Sequence, residues 1–157
     1  MIRFEDAVSE VTDLAREVQA EYFPELRNVK IKYLFDLKKR QSGGALTLAR
    51  CQKANDLIRH FTIDEAGGDE GYDYIIYLDK VVWNNIERVD RIRLLRHEMR
   101  HIWIDDEAKN PIKLCDHDVN DFAEEIELNR DDTRWAERVS DLGIQIYDQL
   151  ADQEGDE

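Results

Sequence analysis

Phe4, Val8, Val11, Ala15, Val18 and Tyr22 recur every three or four residues, which predicts an amphipathic helix over about 5–22, stopped by Pro24. Val29, Ile31, Tyr33 and Phe35 then alternate with Lys30, Lys32 and Leu34, the pattern of a strand with one buried face. Ser42-Gly43-Gly44 reads as a turn and Ala45–Ala49 as the returning strand. Between 51 and 63, Leu57, Ile58, Phe61 and Ile63 fit neither period. A Gly-rich acidic loop at 66–71 leads into Tyr72–Leu78, whose aromatic and β-branched residues predict another strand. A second helix is expected from about Arg88 to Trp103, with Ile92, Leu95, Met99 and Ile102 as its core stripe. Beyond Asn110-Pro111, Val119, Phe122, Ala123 and Ile126 mark a third helix, and Trp135, Val139, Leu142, Ile146 and Leu150 a fourth. This order is that of an α+β domain: an N-terminal helix, a small twisted sheet of about three strands, a central helix and C-terminal helices. Residues 1–150 are expected to form it, with 151–157 an acidic, disordered tail.

The 157 residues are 42% hydrophobic, enough for one packed core. The longest purely apolar runs are four or five residues, far short of the ~20 that a membrane helix needs. Residues 1–5 lack the apolar stretch of a secretory signal, and two cysteines make no disulfide framework, so a cytoplasmic setting is expected. A net charge of −14 argues against nucleic acid as a direct partner. The charge is unevenly spread, however. Residues 116–157 hold fifteen acids and three bases, whereas residues 1–115 hold 21 acids and 19 bases. Lys30, Lys32, Lys38, Lys39 and Arg40 gather near the first strand, and Arg93, Arg96 and Arg100 line one side of the central helix. Their ordinary reading is a solvated or salt-bridged face.

The central helix carries His97-Glu98-Met99-Arg100-His101. Two histidines four apart lie one turn apart on one face, so both imidazoles can reach a single metal ion. Imidazole suits Zn2+ better than the oxygen-seeking Ca2+ or Mg2+. A glutamate beside the first histidine is placed to take a proton from an ion-activated water, which makes Glu98 the candidate general base. Catalytic zinc needs a third protein ligand, and His117, after the Pro-containing loop, is the leading candidate. Asp118 beside it could orient an imidazole or bind the metal itself. Asp105 shares the polar side of the helix, and Glu124 or Glu127 on the following helix are competing ligands. Cys115 is a soft alternative, and His60 reads as structural.

These residues resemble the phage metallopeptidase domain family, related to the SprT-like zincins. The resemblance spans roughly Tyr72 to Trp135. It rests on the strand Tyr72–Asp79, on Trp83, on Leu94-Leu95-Arg96-His97-Glu98-Met99-Arg100-His101, and on His117-Asp118-Val119-Asn120-Asp121-Phe122 with Trp135 downstream. It implies a minimal zincin-like fold, His97, His101 and His117 as zinc ligands, Glu98 as general base, and hydrolysis of a protein or peptide substrate. It further implies a sheet-edge strand that aligns the substrate, with Tyr72–Leu78 the candidate and a buried interior strand the plainer reading. Family members usually carry an apolar residue or Cys where Arg100 stands, on the side away from the ligands. The metzincin pattern is absent, since Ile104 and Glu107 occupy the positions of its Gly and third His. Two other readings compete: a zinc-bearing binding module without turnover, and a protease acting on nucleic-acid-associated proteins, as SprT-like relatives do. No membrane partner is expected, and the sequence leaves the oligomeric state open.

Overall fold

A computed structural model describes residues 2–115 and 121–155. In chain order the elements are β1 (Phe4–Asp6), α1 (Ser9–Tyr22), a 3-10 turn (Pro24–Leu26), β2 (Ile31–Asp36), β3 (Gln41–Ser42), β4 (Ala45–Leu46), β5 (Ala49–Lys53), α2 (Asp56–Phe61) and α3 (Ile63–Ala66). There follow β6 (Tyr74–Asp79), α4 (Lys80–Asn84), α5 (Arg88–Met99), β7 (Ile102–Ile104), β8 (Ile112–Leu114), α6 (Ala123–Leu128) and α7 (Trp135–Gly155). The architecture is mixed α+β, as the hydrophobic pattern predicts.

The main sheet has four strands rather than three, in the order β1-β2-β6-β5. β2 and β6 run parallel, while β1 and β5 are antiparallel to their neighbours. Every residue of β6 is buried, because strands flank it on both sides and side chains cover both faces. β6 is therefore the interior strand, and the sheet edge that lies by α5 is β5. Phe4 belongs to β1 and not to the first helix: residues 4–6 pair with 34–36, and the helix starts only at Ser9. The expected returning strand is divided. Ala45–Leu46 closes a short hairpin onto Gln41–Ser42, and Ala49–Lys53 is the strand that joins the sheet. The ambiguous 51–63 stretch changes period because it contains the end of β5 and then α2, whose N-terminus Asn55 caps by accepting from the Ile58 N–H.

α1 buries Val11, Leu14, Ala15 and Val18, and α5 buries Leu94, Leu95 and Met99 in the same core as Phe35, Ile76, Leu78 and Trp83. α5 ends at Met99, four residues earlier than the pattern suggests. Ile102-Trp103-Ile104 is a β-favouring run, and the His101 carbonyl accepts from the Cys115 N–H to open a β7–β8 hairpin. Ile102 thus stays in the core, but as a strand residue. At the far side, α7 runs on to Gly155, past the point where the composition suggests a frayed tail. Gly143 lets it seat closely, since a Cβ there would lie 2.6 Å from Leu46 Cδ2 and 2.8 Å from Val82 Cγ2. The Tyr147 hydroxyl donates to Asp79 (2.7 Å), whose other oxygen accepts from the Val82 N–H and caps α4. Among the described residues no helix is long and apolar enough to cross a membrane.

The start of α5 is tied to α7 by charge. Buried Asp90 accepts from Arg93 (2.8 Å) and from both terminal nitrogens of Arg138 (2.8 and 2.9 Å). Burial alone would raise its carboxyl, but the Arg138 and Arg93 hydrogen bonds outweigh it and hold the group below the ordinary carboxylate range. A depressed folded value means that the stabilisation is complete above the unfolded value of about 3.9 and is lost as pH falls through the folded one. Asp90→Asn should therefore cost on the order of 2 kcal/mol in urea unfolding at neutral pH. The gap from the unsubstituted chain should close progressively below about pH 4; a gap constant across that range would contradict the assignment.

Candidate metal centre

The residues on α5 are held from two directions. One face packs on the sheet, while Arg93 and Arg96, also buried, point to the C-terminal segment. Glu125, on α6, is 0% exposed and is shared by two arginines. Its Oε2 accepts from Arg96 Nε (3.1 Å) and its Oε1 from Arg100 Nε (3.0 Å). Arg96 also donates to Asn129 and stacks over Tyr22, and Arg100 stacks over Phe23, at the end of α1. The three arginines on the side of the helix are accordingly all ion-paired, Arg93 with Asp90 and Asp131. In the other basic group, Lys32 pairs with Asp6 and Glu65, and Arg40 with Asp36. The arginines of the helix thus form a salt-bridged face, whereas in the second set Lys30 donates to the Ala66 carbonyl and Lys39 lies over Tyr147.

This clamp leaves the adjoining side of the helix to His97 and His101. The Arg100 N–H donates to the Arg96 carbonyl and that of His101 to Glu98, so a tightened helical turn carries the i, i+4 spacing past the last residue of α5. His97, Glu98 and His101 each offer a ligand atom, and these atoms all lie within 4.8 Å of one another, close enough to share one ion. Each imidazole is oriented through Nδ1: in His97 it lies 2.8 Å from Asp121 Oδ1, and in His101 2.7 Å from the Cys115 carbonyl oxygen. An Nδ1–H that donates to an oxygen fixes the tautomer in which Nε2 carries the lone pair for a metal. Phe122 packs against both rings, with centroids 5.6 and 5.0 Å away.

Glu98 is buried and reaches edge strand β5. Burial raises its carboxyl to about 7; the charge of His97, the Cys51 N–H and the charge of Arg50 pull the other way. A divalent cation alongside would draw it down further. For His97, burial favours the neutral ring, but the hydrogen bond to Asp121 and the charges of Glu98, Asp121 and Glu125 outweigh it and raise its value.

His117 and Asp118 lie outside the described residues. Asp105 is not beside the histidines. Because α5 ends at Met99, it falls in the β7–β8 turn, where its N–H donates to the Pro111 carbonyl and its carboxylate accepts from the Glu107 N–H. Glu127 is exposed and pairs with Arg130, and Glu124, also exposed, faces Arg100. Neither joins the His97 group. Cys115 contributes its backbone carbonyl, with its thiol donating to the Arg100 carbonyl. His60 sits on α2 against Phe61. Spacing did not single out Asp121 or Glu125. The available signal was charge: an acidic segment following a helix with arginines at 93, 96 and 100 has partners to find.

The clamp makes a direct prediction. Glu125→Ala removes the only carboxylate paired with buried Arg96 among the described residues and should cost about 3–5 kcal/mol in urea denaturation, a buried charge being left without its partner. A loss below about 1 kcal/mol would show that the pair does not hold α5 in place.

A family model described as "Putative phage metallopeptidase" matches residues 2–143. No curated protein and no solved structure matches the chain.

Proposed function

On the premise that the chain belongs to this phage metallopeptidase family, we propose that it is a zinc-dependent peptidase of zincin-like fold, with His97 and His101 as metal ligands, His117 as the third ligand and Glu98 as the general base. The observation that carries this reading is the convergence of His97, Glu98 and His101 within 4.8 Å, with both imidazoles oriented through Nδ1. Family membership accounts for a metal and a protein substrate. Zinc follows from the donor set, since imidazole nitrogen with a carboxylate close by suits Zn2+ and the described residues of the site form no oxygen-rich cage.

A bound Zn2+ would polarise the scissile carbonyl and bring the pKa of its water down to about 7. Glu98 takes the proton of the attacking water and passes it to the leaving amine. Its burial keeps bulk water from competing for that proton, and the Cys51 N–H fixes the carboxylate against β5. Asp121 and the Cys115 carbonyl keep both rings aligned while charge moves through the site. Glu98 also separates this reading from a binding module without turnover, which has no use for a buried carboxylate beside its ligands.

Elemental analysis of the purified chain should find about one zinc per molecule, and His97→Ala should lose it. Zinc-free protein that neither binds the ion nor responds to the substitution would overturn the site. Glu98→Gln should retain both metal and fold while cleavage of an unstructured protein falls by at least about 100-fold. Unchanged cleavage would remove Glu98 from its role. Asp121→Ala should weaken zinc binding by about 10- to 100-fold in a chelator competition, with an unchanged circular dichroism spectrum.

A further inference from the structure

Immediately after His101 the chain enters β7, which pairs only with β8 among the described residues. The bonds from the Cys115 N–H to the His101 carbonyl and from the Asp105 N–H to the Pro111 carbonyl set the alternation of this hairpin. Ile102 and Ile104 then fall at the positions whose backbone groups turn away from β8. Beside this strand lies a cavity of about 520 Å3 with an apolar floor of Leu26, Val29, Ile104 and Ile112. Trp103, at its wall, is 52% exposed, a large aromatic side chain left to solvent.

The charged residues that line this groove are acidic. Glu25, Glu70, Asp73 and Asp106 line it, and no lysine or arginine among the described residues does. Glu70 and Asp73 share Arg59, but Glu25 and Asp106 have no cationic partner among the described residues. Both are exposed, so an incoming cation can reach them. An unpartnered strand edge selects an extended polypeptide, an exposed indole takes a cation on its face, and two unneutralised carboxylates select positive charge.

We propose that this groove docks an extended polypeptide segment bearing lysine or arginine side chains, paired along β7 with its cations between Trp103, Glu25 and Asp106. Calling that segment the substrate rests on the peptidase reading above; its docking does not. The groove is lined by β7, the strand that starts one residue beyond His101.

The test uses the full chain carrying Glu98→Gln, so that no probe is consumed, and fluorescence anisotropy with two labelled short peptides, one of alternating Arg and Thr and one of alternating Glu and Thr. The Arg peptide should bind at least about tenfold more tightly, with an affinity that falls as salt rises. Glu25→Lys with Asp106→Lys should remove about tenfold of that affinity, and Trp103→Ala should weaken it as well. Asp148→Lys with Asp152→Lys makes the same change in net charge on exposed α7 positions and should leave binding unchanged. Equal losses from the two double substitutions would reduce the effect to overall charge and overturn the proposal, as would equal binding of the two peptides. In parallel, the zinc-loaded chain with Glu98 intact is offered unstructured substrates of both charges. Cleavage without charge preference contradicts the groove and spares the peptidase reading, whereas selective binding without any cleavage does the reverse.

Discussion

Glu125 is the constraint on which the rest of the candidate centre depends. A carboxylate with no solvent contact is costly unless its charge is matched, and Arg96 and Arg100 match it through one oxygen each. Those arginines stand one turn apart on α5 and just beyond it, so the interaction fixes both the rotation and the C-terminal end of the helix. Tyr22 and Phe23 close over the two guanidinium groups from α1. Once that side is held, His97 and His101 project from the adjoining side, and the polypeptide itself sets their positions.

The same clamp explains where the negative charge goes. Much of the −14 lies in the C-terminal segment, and part of that excess is structural counter-charge: Glu125 for Arg96 and Arg100, Asp131 and Asp132 for Arg93. Arg100, just beyond the last residue of α5, is committed to Glu125. The residue that orients His97, Asp121, stands just ahead of the helix that supplies Glu125. One short stretch therefore both anchors the helix and orients a candidate ligand.

Much of this was legible in the sequence. The helical stripes of α1, α5 and α7 and the strands at 31–36 and 74–79 follow from periodicity, because burial on one face imposes a period. The His97-Glu98-His101 group follows from spacing on a helix. What pattern could not show were decisions made by tertiary partners. Phe4 fits the helical stripe yet pairs with β2, and Ile102 fits the α5 stripe yet starts a hairpin, since either residue can be buried both ways. The division of 45–53 into two strands depends on which neighbour each half meets. The place of β6 inside the sheet, with β5 at the edge by Glu98, is a matter of topology that local residues do not encode. Asp121 and Glu125 sat in a run too acidic for spacing to distinguish them.

The central claim is that histidine nitrogens, oriented in advance by Asp121 and the Cys115 carbonyl, form the metal site. Zinc-edge X-ray absorption on the zinc-loaded full chain measures this directly. The account predicts a shell dominated by nitrogen at about 2.0–2.1 Å, with imidazole scattering that diminishes in His97→Ala and in His101→Ala. A sulfur shell at about 2.3 Å, or a spectrum unmoved by either substitution, would contradict it.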